Sequence, residues 1–362
     1  MHAVILAGGA GSRLWPVSTR QKPKPFIKVN NESFIQKAFR RAIEIESVHN
    51  IITVTTSDCV SEVKDQYNEI INFTKNSISK ELIAEPCGRD TAAAIAVSAV
   101  HVLSNYGPDE MMLILPSDHI ILDSVAFSNA VRQAQSLAKK GKIVTFGIKP
   151  SYPEIGYGYI EYSNNEVFKF VEKPSFGLAL DYLQSEKFLW NSGILCFTAN
   201  TIIKELETHC FDILSMVIKA IHTSTSHSNS DYYREVLLSS PIWDTIPEIS
   251  IDYALLEKSS QIAVVACDIG WSDVGNWESM SKLEPMDKNG NRVKGNVTLY
   301  DTVDCYVESV NNKTIAVVGV KDLAIIESEN GFLVIDKKKA SSAKEIFANL
   351  QEKSTKPINA AP

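Results

Sequence analysis

Five groups of residues in this 362-residue chain could do chemistry. The first is Gly8-Gly9-Ala10-Gly11-Ser12-Arg13, which breaks the apolar run Ala3-Val4-Ile5-Leu6-Ala7 and leads into Arg20-Gln21-Lys22-Pro23-Lys24. Glycines after a strand let a ligand reach the backbone, because no Cβ blocks the approach. Amide N–H groups in such a loop suit anionic oxygens. Residues 1–31 hold Arg13, Arg20, Lys22, Lys24 and Lys28 and no acidic residue, inside a chain of net charge −7. This is the composition of a polyphosphate seat; a solvated basic turn has the same composition. The dinucleotide fingerprint is excluded, since Leu14 stands where its third glycine belongs, and no Gly-Lys-Ser/Thr completes a Walker loop.

The other groups are polar residues placed after apolar runs. Asp118 follows Met111–Leu115, and Asp273 follows Ile262–Ala266. Ligands of open parallel sheets bind outside the carboxyl ends of strands. Two carboxylates converging there beside a polyphosphate would suit magnesium, which takes one or two carboxylates and completes its shell with phosphate and water. Each aspartate alone also reads as a turn residue or helix cap. Lys173, between Glu172 and Pro174, is a phosphate cation or a surface lysine. Asn191-Ser192-Gly193 is a hydroxyl-binding segment or a turn. Glu85-Pro86-Cys87-Gly88-Arg89-Asp90 bridges a strand and an alanine-rich helix whose N-terminus could face a nucleotide, or which Asp90 or Thr91 merely caps. Trp190, Trp271 and Trp277 read as core, and His119 has no Ser or Cys nucleophile paired with it.

The elements that must position these groups are legible. Helical stripes run over 32–46, Val60–Ile71, Asp90–Ser104 and 124–140, separated by apolar strands at 51–55, 81–84, 111–115 and 143–147. This alternation predicts an α/β fold: a Rossmann-like, mixed but mostly parallel sheet flanked by helices. From 156 to 174 the pattern becomes paired β segments. A helix is expected over 176–186, helices over 199–222, an exposed polar loop over Thr223–Ser230, a helix over Ser250–Lys258 and a strand over Ile262–Ala266. Residues 285–295 are turn-rich. Short β segments at 297–300, 304–308, 314–318, 323–327 and 332–335 predict a small β module, followed by a helix from Ser341 to about Gln351. The domains are therefore read as 1–285, 290–353 and a tail, 354–362.

Composition excludes some classes. An acidic balance disfavours nucleic acid as a bulk partner. No stretch reaches the roughly 18 apolar residues of a membrane span, and Met1-His2 leads straight into a strand without a signal segment. The six cysteines are scattered without a C-x-x-C pair, which suggests neither zinc nor a disulfide framework and fits a cytoplasmic protein.

Taken together, the blocks resemble the sugar-phosphate nucleotidyltransferase family, in its mannose-1-phosphate guanylyltransferase branch. The signature is Gly8 to Arg13 with Leu14-Trp15-Pro16 and Lys22-Pro23-Lys24. It is followed in order by Glu85–Ala92, Pro116-Ser117-Asp118-His119, Gly156–Ile160, Phe170–Pro174, Trp190–Gly193, Ser250–Ala254 and Trp271–Gly275. The resemblance covers about residues 1–280. It implies that Arg13 and Lys24 hold a triphosphate. Leu6, Gly8, Gly9, Gly11 and Ser12, with Glu85, Arg89 and Asp90, surround the nucleotide. Lys173 holds the sugar phosphate, Gly158, Glu172 and Asn191 hold the hexose, and Asp118 and Asp273 hold Mg2+. It implies GTP and mannose 1-phosphate as substrates, with GDP-mannose and pyrophosphate as products. It also implies a short left-handed β-helix at 297–335, through which a homodimer could form. Bifunctional relatives carry a further cupin isomerase domain where this chain ends, so isomerase activity is not expected. Pro25 departs from the family's Gln, and Thr91-Ala92-Ala93-Ala94 from its Thr-Ala-Pro-Ala. A different sugar phosphate, such as a heptose 1-phosphate, and a non-catalytic GDP-mannose-binding paralogue are the alternatives. The second would have lost charged site residues, which are all present here.

Overall fold

The computed structural model describes residues 1–9, 11–71, 78–230, 233–238 and 240–346. The chain divides into two compact units, one of residues 1–8 and 32–271, the other of residues 9–31 and 272 onward. Neither is a continuous stretch of sequence.

The larger unit is built on an eleven-stranded sheet. Its strands in chain order are β1 (His2–Leu6), β2 (Asn50–Thr56), β3 (Ser79–Glu85), β4 (Met111–Pro116), β5 (Ile143–Ile148), β6 (Tyr159–Ser163), β7 (Glu166–Val171), β8 (Phe188–Thr198), β9 (Thr225–Ser230), β10 (Tyr233–Leu237) and β11 (Ile262–Ala266). The spatial order is β9-β10-β3-β2-β1-β4-β8-β5-β11-β7-β6. Strands β10, β3, β2, β1 and β4 pair in parallel, as does β11 with β5. Ala3, Val4, Ile5, Ile51, Ile52, Leu113 and Ile114 are all fully buried, because helices cover both faces of a parallel core and no residue can alternate into water. Strand β8 enters antiparallel between β4 and β5 and makes the sheet mixed.

Helix starts follow local chemistry. Ser33 and Gln36 form a reciprocal capping box on Phe34–Ile43: Gln36 N donates to Ser33 Oγ, and Ser33 N donates to Gln36 Oε1 at 2.9 Å. The alanine-rich helix Asp90–Tyr106 is buried from Ala92 to Val102. It packs against Ala199–His209 and Phe211–His222, where small side chains permit close approach. Two local expectations are corrected. The polar run at 223–230 is not a loop throughout: Thr225–Ser230 is an edge strand on β10, formed by backbone pairing that needs no apolar alternation. The helix expected over 250–258 contains a π-helical turn, Asp252–Leu256, closed by Glu257 N donating to Asp252 O at 3.0 Å.

In the smaller unit, Arg292–Lys294, Tyr306–Ser309 and Leu323–Ser328 stack in parallel, and Gly331–Asp336 returns antiparallel to the last. Val297–Tyr300 pairs in parallel with Ile315–Val318 on a second face. Cys305, Val307 and Val317 fill the interior. Asp301, Asp304, Asn312 and Asp322 take left-handed φ of 49–59° at the corners, where short polar side chains tolerate that conformation. Asn291 threads one corner, donating from Nδ2 to Thr302 O and accepting at Oδ1 from Cys305 N.

The glycine-loop segment belongs to this same unit. Trp277 Nε1 donates to Trp15 O at 2.9 Å, and Ser328 Oγ donates to Pro16 O at 2.9 Å. The basic N-terminal segment is thus braced by residues 262 and 312 positions away. The helix expected over 341–351 is a 3-10 turn at Lys337–Ser342 passing into a helical turn at 343–346. Its remainder, the 354–362 tail and Ala10 lie outside the described residues.

Candidate functional site

The clearest assembly in the larger unit lies where β8 is irregular. Its register against β5 shifts between Asn191 and Leu195, and Gly193 sits at φ 71°. A bulge of this kind re-aims a side chain, and the one re-aimed here is Asn191. Thr145 Oγ1 donates to Asn191 Oδ1 at 2.7 Å, and Gly193 N donates to the same oxygen at 3.2 Å. A backbone N–H can only donate, so the amide orientation is fixed and Nδ2 faces Asp252 Oδ1, 2.9 Å away. Asn191 N donates to Gly158 O at 2.8 Å. Gly158 touches Glu172: a Cβ there would lie 2.5 Å from Glu172 Oε2 and 3.3 Å from Asn191 Cβ. Lys173 Nζ pairs with Glu172 Oε1 at 2.9 Å and lies over the Tyr253 ring. The four sequence-predicted sugar and sugar-phosphate residues, Gly158, Glu172, Lys173 and Asn191, therefore converge.

Electrostatics there are unusual. Desolvation together with the neighbouring Glu172 pushes the Asp252 carboxyl up to about 7, against the pull of Lys173. Desolvation of the Lys173 ammonium is outweighed by Glu172, which raises its pKa. Lys173 also takes a left-handed φ of 46°. Asp252 and Glu257, whose Oε1 accepts from Glu172 N at 2.9 Å, carry no role in the sequence reading. The Ser250–Ala254 block contains Asp252, but no periodicity shows that its carboxyl meets Asn191.

The nucleotide-side residues of the same unit follow strand ends. Leu6 closes β1, its carbonyl accepting from Ser117 N at 3.0 Å, and Gly8 faces open space where a Cβ would meet nothing within 4 Å. Glu85 ends β3 with 4% exposure, its Oε1 has no hydrogen-bond partner, and burial pushes its carboxyl up to about 8. Arg89 donates to Asp244 O, and Trp243 Nε1 donates to Cys87 O, which ties the 85–90 loop to 243–244. Asp90 sits at φ 61° with its carboxylate accepting from Thr91 N at 2.6 Å. Asp118 follows β4; its neighbour His119 accepts from Trp271 Nε1 at Nδ1, 3.2 Å, and its backbone carbonyl accepts from buried Arg41 at 2.9 Å.

In the smaller unit, Gly9 and Gly11 take φ of 97° and 62°. A Cβ on Gly11 would overlap Lys24. Ser12 and exposed Arg13 form a 3-10 turn. Lys24 is buried, not exposed on a basic face, and its Nζ donates to Asp273 O at 2.6 Å. Asp273 Oδ1 accepts from Gly275 N at 3.1 Å, and Val274 between them is held at φ 47°. Positive φ in a β-branched residue is a strained state, of the kind concentrated at functional sites. Lys24 and Asp273, 249 positions apart in sequence, are thus brought together beside the loop glycines.

One other trio of metal-capable groups gathers among the described residues, at the start of β1: the ligand atoms of His2, His49 and Glu110 all lie within 4.8 Å. Asn50 Nδ2, oriented by Glu81 Oε1 at 2.6 Å, donates to His2 Nδ1 at 3.1 Å. Met1 N donates to His49 Nδ1 at 2.9 Å. Each neutral ring then carries its proton on Nε2, and both Nε2 atoms face Glu110 Oε2, at 3.2 and 3.7 Å. In that tautomer the nitrogen nearest Glu110 on each ring carries a proton and offers no lone pair to an ion, and His2 Nε2 makes no hydrogen bond.

A mixed sheet with a glycine turn after its first strand, polar groups at its strand ends and an appended stack of short strands defines the class. The nucleotidyl transferase model matches residues 2–289, and this chain belongs to that family. A mannose-phosphate isomerase/GMP-like β-helix domain matches residues 295–350. The chain is similar to the mannose-1-phosphate guanylyltransferase of Sinorhizobium fredii, 40% identical over 91% of this chain and 64% of that protein. It is also similar to the alginate biosynthesis protein AlgA of Pseudomonas aeruginosa, 34% identical over 97% of this chain and 72% of that one. A solved structure described as mannose-1-phosphate geranyltransferase from Thermus thermophilus superposes with a TM-score of 0.81 at 27% identity, covering 97% of this chain and 99% of that chain. The chain is a nucleotidyltransferase, of a family that generally uses a divalent metal. Among the described residues no helix is long and apolar enough to cross a membrane.

Proposed function

We propose that this chain transfers GMP from GTP to mannose 1-phosphate, giving GDP-mannose and pyrophosphate. The observation that carries the reading is the convergence of Gly158, Glu172, Lys173 and Asn191. It puts a cation for a phosphate beside a carboxylate and an amide for hydroxyls. The name of the Sinorhizobium relative, a mannose-1-phosphate guanylyltransferase, points to the same pair of substrates. Guanine is favoured by Glu85. Burial alone holds its carboxyl protonated at neutral pH; guanine's N1–H and 2-amino donors would favour the ionised form, which accepts from both, and adenine and the pyrimidines do not present those donors together.

The reaction needs no enzyme nucleophile. A sugar-phosphate oxygen attacks the α-phosphorus in line, and catalysis rests on positioning and on offsetting the repulsion of two anions. Lys173 leaves Glu172 for the sugar phosphate. Arg13, Lys24 and the amides of Gly8, Gly9, Gly11 and Ser12 are assigned to the triphosphate, and Arg89 and Asp90 frame the nucleoside side. The carboxylates of Asp118 and Asp273 are the hard oxygen donors that magnesium takes, and each is proposed as a ligand. When bound, the ion would neutralise phosphate charge. A homodimer through the C-terminal module and a cytoplasmic location complete the proposal.

Pyrophosphate release measured over a matrix of nucleoside triphosphates and hexose and heptose 1-phosphates tests it. GTP with mannose 1-phosphate should give the highest kcat/KM. A higher value for any other pair rejects the substrate assignment.

A further inference from the structure

The geometry points to the π-helical segment Asp252–Glu257 as the positioning element of the hexose subsite, with Asp252 locking the amide of Asn191 and Glu257 locking the backbone of Glu172. The inference rests on the reading of Gly158, Glu172, Lys173 and Asn191 as that subsite. It concerns two residues that the reading leaves without a role.

The hydrogen-bond inventory of Asn191 is decisive. Its Oδ1 has two lone pairs, taken by Thr145 Oγ1 at 2.7 Å and Gly193 N at 3.2 Å. Its Nδ2 has two hydrogens, one taken by Asp252 Oδ1 at 2.9 Å. One N–H is left. Asn191 therefore offers a hexose a single donor in a fixed direction and no acceptor. Without Asp252, Nδ2 has no partner, and the amide is held at Oδ1 alone, by Thr145 and by the longer 3.2 Å bond from Gly193, so its swing about χ2 widens.

Glu257 does the complementary work on the other wall. Its Oε1 accepts from Glu172 N at 2.9 Å, while Lys173 N donates to Tyr157 O at 3.2 Å. These two bonds hold the chain where it turns into the left-handed conformation of Lys173 at φ 46°. A regular helix would not deliver both contacts in the same way. The wide turn, closed by Glu257 N on Asp252 O at 3.0 Å, sets the two carboxyl side chains five residues apart, one against Asn191 within β8 and the other against Glu172 just past β7. Single π turns inside helices recur at functional sites.

The carboxyl of Asp252 acts here as an acceptor of fixed direction, and its charge is not required. Burial beside Glu172 already holds its pKa near 7. The conservative amide therefore keeps the function: Asp252→Asn presents Oδ1 to Asn191 in the same place. Asp252→Ala does not.

The test measures direct binding of mannose 1-phosphate and of GTP by calorimetry, alongside KM and kcat, in the full chain and in Asp252→Ala, Asp252→Asn and Glu257→Ala. Asp252→Ala should weaken sugar-phosphate binding about tenfold, the scale of one buried hydrogen bond, with GTP affinity and melting temperature nearly unchanged. Asp252→Asn should recover most of the loss, and Glu257→Ala, which removes the acceptor of Glu172 N, should weaken sugar-phosphate binding severalfold while sparing GTP; an unchanged affinity there overturns the part assigned to Glu257. Equal losses toward both substrates, or failure of the amide to rescue, would make Asp252 a general stability residue and overturn the inference. Unchanged sugar-phosphate binding in Asp252→Ala overturns it as well. Wild-type chain that binds no hexose 1-phosphate rejects the subsite reading instead, so the two failures are told apart.

Discussion

Gly158 and Glu172 meet so closely that a single methyl group on Gly158 would lie 2.5 Å from Glu172 Oε2. The glycine is needed for space, not for backbone freedom, since its φ is not among the left-handed ones. Phe170 Cζ and Asn191 Cβ, each 3.3 Å from the same point, block the other directions. Only the flexible end of Glu172 can give way. Gly158→Ala should therefore push Glu172 out of the subsite and raise KM for the sugar phosphate about tenfold, the scale of a lost hydrogen bond to a charged group. KM for GTP should hold. Steady-state kinetics with each substrate varied in turn checks this; an unchanged sugar-phosphate KM would mean that Glu172 does not contact the hexose.

Lys173 supplies a compact cation already paired with Glu172 at 2.9 Å. Binding a phosphate exchanges one anionic partner for another. Lys173→Ala should raise KM for sugar phosphate by a factor corresponding to roughly 1.5–3 kcal/mol. Nucleotide affinity should stay within about twofold, and melting temperature should barely move, since half-exposed ion pairs contribute about 0–1 kcal/mol. Sugar-phosphate KM at the wild-type value would return Lys173 to the solvated surface.

Glu85 links pH to stability and to base choice. Its carboxyl titrates near 8 when folded and near 4.5 when free, with burial as the cause. Between those values the folded chain holds a proton that the unfolded chain has released. The contribution to stability is full below about 4.5 and is lost as pH rises toward 8. Glu85→Gln carries no titrating group, so its melting temperature relative to wild type should rise by a few degrees from pH 5 to pH 8. The same variant should narrow the preference for GTP over ATP, because the amide donates where guanine also donates. Parallel melting curves across that range, with a nucleotide competition assay, check both halves.

Much of this was legible in the sequence, and the limits have physical causes. Strands such as Ile51–Thr55 and Ile143–Gly147 announce themselves because fully covered parallel strands must be apolar on both faces. The joining of Gly9–Asn31 with the C-terminal module was not legible. It rests on single hydrogen bonds such as Trp277 Nε1 to Trp15 O, which leave no periodic trace. Lys24 shows the same limit, since a basic run gives no hint that this one side chain is buried on Asp273 O. Of the site, Asn191 and Glu172 were found through motif blocks. Asp252 and Glu257 were not, because a π turn and a hydrogen-bond inventory are properties of three dimensions.

The C-terminal module exposes apolar side chains on its outer strands. Tyr300 and Val318 are register partners, and both are well exposed; Phe332 and Val334 stand two apart on one face of Gly331–Asp336, also exposed. Apolar side chains on an edge strand invite a second chain. The proposed homodimer should show twice the monomer mass in light scattering. Replacing Phe332 and Val334 together by Asp should halve it while circular dichroism stays the same. A monomeric wild-type chain at tens of micromolar would rule out this dimer.

Asp118 and Asp273 are the proposed metal carboxylates, and each has a competing structural explanation. Asp118 ends the turn after β4, beside the His119–Trp271 pair, where it could simply hold a loop. Asp273 accepts from Gly275 N and could simply shape the strained turn at Val274. The amide substitution separates the roles. Asn keeps the size and one acceptor oxygen, so a turn or cap survives with a change of about 1 kcal/mol or less. A magnesium ligand loses its charge, and with it the ion that neutralises two mutually repelling anions. Asp118→Asn and Asp273→Asn should each lower kcat by several orders of magnitude with melting temperatures within a few degrees of wild type. Their combined loss should fall well short of the product of the single losses, because ligands of one ion act as a unit. Chelation by EDTA should abolish wild-type turnover, and added magnesium should restore it. Turnover and thermal melts on the two single variants and the double variant, across a magnesium titration, decide the matter. A single variant that turns over near the wild-type rate removes its residue from the metal site, and multiplicative losses separate the two residues into independent tasks.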